Sequence, residues 1–178
     1  MNGRGRSDVP RAVVLGLDTM QGLQTARILA RRGVPVIGIV SDGSHHARRT
    51  NVCERVLVAP RREDLMRELA ALGRSLSARA ILFPCLDGKV LTVSRAREEL
   101  SQWYRIVLPP ADVVEMLMDK SAFYRHAQDS GLPIPPTYVL GPDAGLDEVP
   151  DTIRYPVVLK PAFRTSQWTA NTTEKAFK

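Results

Sequence analysis

Cysteine is scarce in this chain. The 178 residues hold two, Cys53 and Cys85, with no CxxC pair and no Cys/His cluster. That excludes a structural zinc site of the finger or ribbon kind and leaves two reduced thiols, at least one of them buried, as the expectation. Long apolar runs are absent too. The longest, at residues 34–40 and 106–110, fall far short of the roughly 20 residues a membrane-spanning helix takes, so no membrane partner is expected. The N-terminus, MNGRGRSDVP, is basic but carries no apolar stretch before a cleavage site, so it does not read as a secretory signal. Residues 1–10 are expected to be disordered, and the protein to be cytoplasmic. Aromatic residues make up only 6% of the chain and do not interleave with the basic ones, and no nucleic-acid motif is present. The net charge of +6 lies entirely in residues 1–118. Its arginines are spread along helical stretches with acidic neighbours, so it reads as solvated helix faces rather than a nucleic-acid surface. Lysine is the rarest cation, 5 against 20 arginines, so each lysine is a candidate for a specific task.

What is present is an ordinary globular composition, 44% apolar and 25% charged, with strands and helices in alternation. Residues 11–16 (RAVVLG), 34–40 (VPVIGIV), 55–59, 80–84 (AILFP) and 104–108 (YRIVL) read as strands. Most are apolar throughout rather than alternating, as strands covered on both faces are. Helices are expected at 19–32, 63–76 and 89–100. This order predicts an α/β fold, a Rossmann-like doubly wound parallel sheet with right-handed crossovers. Residues 41–51 read as a loop. After Pro109-Pro110 the pattern changes. Short helices are expected at 111–118 and 119–130, the second begun by Asp119 as N-cap and ended by Gly131. An extended connector with three prolines follows at 132–138, then a turn-rich linker at 141–150 and a strand at 155–160 (YPVVLK). Residues 161–178 are polar and expected to be partly disordered.

Three places carry candidate chemistry. The first is the turn Gly16-Leu17-Asp18-Thr19-Met20-Gln21-Gly22. A dinucleotide-binding turn wants glycine at its second fixed position. Asp18 stands there and would repel a pyrophosphate, although Asp42, after the second strand, sits where a ribose-binding acid would. The second is Asp87, after the fourth strand. In a doubly wound sheet the carboxyl ends of strands one and four line the switch-point crevice. Asp18 and Asp87 there could hold a substrate ammonium group; alternatively each caps the helix that follows it. The third is Lys120 with Lys160. Two ammonium groups could bracket a polyphosphate; alternatively Lys160, at a strand end, reaches into solvent. Among the histidines, His45 and His46 read as solvated loop residues and His126 as a hydrogen-bonded core histidine.

The run DKSAFYRHAQDSGLPIPPTY, followed after a linker by YPVVLKP, resembles the ATP-grasp superfamily, whose members carry a "(N/D)K…A…GxPxP" helix and connector and then a "(Y)P(V/I)(V/I)xKP" strand. The resemblance implies residues 11–112 as a Rossmann-like pre-ATP-grasp domain and 113–178 as the truncated start of an ATP-grasp domain. It further implies that Lys120 and Lys160 contact the phosphates of ATP, and that Asp18 and Asp87 face the substrate. The activity implied is that of a carboxylate–amine or carboxylate–thiol ligase, with ATP and Mg2+ as cofactors, a small carboxylate and amine as partners and, as is frequent in the family, a homodimer. The magnesium ligands are expected outside this chain, so the 178 residues alone are expected to be inactive. The segment after Lys160, Ala162 to Thr169, departs from the pattern, since it lacks the glycines of a phosphate-covering loop. The competing expectation is a stand-alone Rossmann-like domain that binds NAD or a small molecule without catalysis.

Overall fold

The structure, a computed structural model, describes residues 9–141, 144–145 and 148–162. Two compact units divide the chain, Met1–Ala111 and Asp112–Lys178. The expectations of disorder over residues 1–8 and over 163–178 lie outside the described residues.

The first unit is built on five parallel strands, β1 (Ala12–Leu15), β2 (Val36–Val40), β3 (Arg55–Val58), β4 (Ala80–Pro84) and β5 (Tyr104–Ile106), in the order β3-β2-β1-β4-β5. The expected Rossmann-like α/β sheet is therefore present. Helix α1 (Met20–Arg31) links β1 to β2, a loop with a 3-10 turn at His46–Arg49 links β2 to β3, and α2 (Arg62–Ser75) links β3 to β4. The expected single helix before β5 is two, α3 (Asp87–Arg95) and α4 (Arg97–Ser101). The break falls at Ala96, whose backbone leaves helical geometry (φ −100°, ψ 19°). Neither glycine nor proline marks it. The Arg97 guanidinium, just beyond it, donates to the carbonyls of Leu108 and Pro109 and so ties α4 to the strand-five exit.

Alternation along β1 shows how the two faces are covered. Val13 and Leu15 join a core with Leu65, Leu69 and Leu72 of α2, Val93 of α3 and Leu100 of α4. Ala12 and Val14 join a second core with Ala26 of α1 and Ala47 of the 3-10 turn. A step from β1 to β2 and a step from β3 to β4 run in opposite directions across the sheet, so right-handed crossovers put their helices on opposite faces. The winding reverses between β1 and β4, which pair directly, Leu15 opposite Pro84.

Two buried polar groups brace this unit. Tyr104 is fully buried, and its hydroxyl donates to the Leu69 carbonyl at 2.7 Å. The Asp64 side chain, 7% exposed, accepts from the backbone N–H and the guanidinium of Arg61 and from Arg67 Nη2. These donors, the Arg61 side chain foremost, hold its carboxyl at about 2. An unfolded aspartate titrates near 4. The stability Asp64 supplies is therefore complete above pH of about 4 and lost as pH falls towards about 2. Urea melts of Asp64→Asn are expected to show a lower midpoint than the parent at pH 7 and a gap that closes by pH of about 2.5; a constant gap would refute the linkage.

The second unit holds α5 (Ala111–Met118) and α6 (Lys120–Asp129). Asp119 caps α6, its carboxylate accepting from the backbone N–H groups of Ser121 and Ala122. Gly131, at φ 64°, ends it in the left-handed conformation that only glycine adopts freely. His126 is exposed rather than a core histidine. The expected strand at 155–160 is reduced to an isolated bridge residue, Leu159. Pro156 brings no N–H donor to a ladder, and Tyr155, Val158 and Leu159 are exposed, so among the described residues no neighbouring strand satisfies or covers this segment.

Candidate functional site

At the carboxyl end of β1 the chain turns on Gly16, whose φ of 86° is disallowed for most side chains. Thr19 caps α1: its hydroxyl oxygen accepts from the Gly22 N–H at 3.0 Å and donates to the Gly16 carbonyl at 2.7 Å. Thr19, not Asp18, is thus the cap. Asp18 does something the sequence did not suggest. Its Oδ2 accepts from the backbone N–H groups of Ser41 at 2.7 Å and Asp42 at 3.1 Å, the two residues that leave β2. Its Oδ1 is buried and has no partner among the described residues.

The turn after β4 emerges beside this one. Leu86, which precedes α3, lays its side chain over Gly16; a Cβ on that glycine would stand 3.3 Å from Leu86 Cδ1. Asp87 is the first residue of α3, is exposed, and forms no cap; the cap position is Leu86, with no side-chain hydrogen bond. The helix-capping alternative therefore holds for neither aspartate. Asp42 is committed locally, accepting from the backbone N–H and hydroxyl of Ser44, which hold its carboxyl below the usual range.

In the second unit, the backbone N–H and the Nζ of Lys120 both donate to one carbonyl, that of Ala162, at 3.3 and 3.4 Å. The start of α6 and the segment two residues beyond Lys160 therefore meet. Lys160 is exposed, with no hydrogen-bond or ion-pair partner among the described residues. Among the described residues neither ammonium faces a carboxylate. The contribution of the Ala162 carbonyl was not foreseen, since a backbone acceptor leaves no mark in a sequence. The segment proposed to replace a glycine-rich loop lies, past Ala162, outside the described residues.

Both cysteines are free, as expected, but both are half-buried, where at least one was expected to be buried. Burial pushes Cys53 up to about 11 and also raises Cys85, so neither is an activated nucleophile. Among the described residues no group of three or more His, Cys, Asp or Glu could hold a metal ion. No helix among them is long and apolar enough to cross a membrane.

Comparison with solved structures bears on the fold. An L-amino acid ligase from Bacillus licheniformis superimposes with a TM-score of 0.62 at 15% identity, over 86% of this chain and 37% of that one. An N5-carboxyaminoimidazole synthetase from Staphylococcus aureus, complexed with ADP, superimposes with a TM-score of 0.62 at 14% identity, over 89% of this chain and 40% of that one. The fold is that of the N-terminal part of ATP-grasp ligases. At these identities the likeness concerns the fold. The chain spans about two fifths of the length of these ligases. No protein-family model and no curated protein matches the sequence.

Proposed function

We propose that this chain is the front portion of an ATP-dependent carboxylate–amine or carboxylate–thiol ligase. The observation that carries the reading is the meeting of Lys120 with the segment just past Lys160, within a fold shared with two ligases, one of them solved with ADP. In the proposed reaction a substrate carboxylate oxygen attacks the γ-phosphorus of ATP, ADP leaves, and an acyl phosphate forms. An amine or thiol then attacks the acyl carbon, and inorganic phosphate leaves. Lys120 and Lys160 hold the nucleotide phosphates as compact point charges. Asp18 and Asp87 are read as the substrate side of the site, where their carboxylates take an ammonium group by charge-assisted hydrogen bonds. Magnesium, which neutralises phosphoryl charge in such reactions, finds no ligand set among the described residues, and no step here is routed through it. The protein is read as cytoplasmic.

A nucleotide titration tests the reading. In the full-length protein, Lys120→Ala and Lys160→Ala are each expected to weaken ATP binding by roughly tenfold or more, the loss of one hydrogen-bonded charge. The 178-residue chain alone is expected to show no ATP turnover. Unchanged affinity in both variants would remove the lysines' role, and ligase-level turnover by the chain alone would refute its being a catalytically incomplete front portion.

A further inference from the structure

The geometry points to a second, anion-binding pocket on the first unit, lined by α1 and by the 3-10 turn after β2, which takes the phosphate group of a small phosphorylated molecule. The cavity holds about 390 Å³, within the range of small-ligand sites. Leu23 and Ala47 contribute its apolar lining, and Arg27, His46, Arg49, Thr50 and Asn51 its polar lining; among the described residues no carboxylate lines it. The side chains of Arg27 and Arg49 have no hydrogen bond or ion pair among the described residues. Two arginines lining one cavity, with no carboxylate among the described residues in that lining, suit a phosphate, whose oxygens match the paired donors of a guanidinium.

The wall that carries Arg49 is tied down before any ligand arrives. Asp18 fixes the start of the loop through Ser41 and Asp42. Asp42 holds Ser44, and Arg48 donates to the Gly43 carbonyl. His45 Nδ1 accepts from the Ala47 N–H, capping the 3-10 turn, and the His45 and His46 rings lie 4.1 Å apart. A site fixed in advance spends less of its binding energy on ordering loops. The pocket uses none of the residues assigned to the ligase, so it stands or falls separately.

The test is calorimetric titration of the full-length protein with ribose 5-phosphate and with inorganic phosphate, at about 0.15 M salt so that diffuse charge attraction is screened. Saturable binding is expected, weakened about tenfold or more by Arg27→Gln and by Arg49→Gln. Arg105→Gln, an exposed arginine on β5, should leave it unchanged. Equal affinities for the two probes would make the phosphate group itself the ligand; tighter binding of the sugar phosphate would assign the rest of the molecule to the lining of Leu23 and Ala47. No saturation by either probe up to about 10 mM would overturn the proposal, as would unchanged affinity in both arginine variants or an equal loss in Arg105→Gln. ATP affinity through Lys120 should be untouched by Arg27→Gln, which separates this result from the ligase test.

Discussion

Gly22→Ala is expected to unfold the first unit or to destabilise it by at least about 3 kcal/mol, beyond the usual range for an overpacked site. A Cβ on Gly22 would stand 2.1 Å from the Gly16 carbonyl oxygen and 2.7 Å from its carbon, with Leu17 Cα at 3.0 Å. These are backbone atoms of the turn that closes β1, and they cannot swing aside as a side-chain tip can. The same turn is held by the Thr19 hydroxyl, which bonds both glycines. Alanine in mid-helix would ordinarily gain roughly 0.5–1 kcal/mol over glycine, so propensity opposes the expected result and the clash must win. Gly88→Ala, in α3 with nothing within 4 Å of its Cβ, is the control. It should be neutral or slightly stabilising. Urea denaturation of the pair measures both, and a stable Gly22→Ala protein would show that α1 does not sit so close to β1.

The second large effect is expected at Tyr104. Removing a fully buried ring from the core that α2, α3 and α4 share should cost about 3–5 kcal/mol in Tyr104→Ala, as for other large-to-small aromatic replacements. Tyr104→Phe keeps the ring and loses the hydrogen bond to Leu69, about 1 kcal/mol net. The two variants separate packing from bonding. Burial also raises the phenol above its ordinary pKa. Above pH of about 10 the unfolded phenol therefore ionises while the folded one stays neutral, and stability falls as pH rises. Tyr104→Phe should flatten that alkaline loss. Denaturant melts at pH 7 and about 10.5 check both statements.

Much of the first unit was legible because its strands are apolar on both faces, a signature that survives without knowledge of partners. Residues 80–84 and 111–118 fall where their composition placed them, and Gly131 ended its helix as glycine does. What escaped was nonlocal. The break at Ala96 serves a contact with carbonyls beyond the next strand. Residues 155–160 carry a strand's composition, but a strand needs a neighbour, and a segment's own residues do not say whether one is at hand. Asp18 was weighed as a substrate ligand or a cap for its own helix, and it grips amides 23 and 24 residues away. Asp18, Asp87, Lys120 and Lys160 stand out in the sequence as candidates by residue type and place, while the company each keeps shows only in the fold. Arg27 lies on a helix and Arg49 in the 3-10 turn after β2, and no linear motif joins them.

The strand order carries a consequence for how this chain is made. β1 leaves the ribosome before the other four strands of this sheet, yet it ends at the centre, flanked by β2 and β4. Its pairing with β4 sets Ala12 opposite Ile81, so one side of this buried strand stays unclaimed until residues 80–84 have been synthesised. No hairpin can cover it meanwhile, since every pairing is parallel and must wait for a crossover. Nascent chains halted before β4 should consequently present an open, apolar edge, the kind of surface that chaperones hold and that stray strands join.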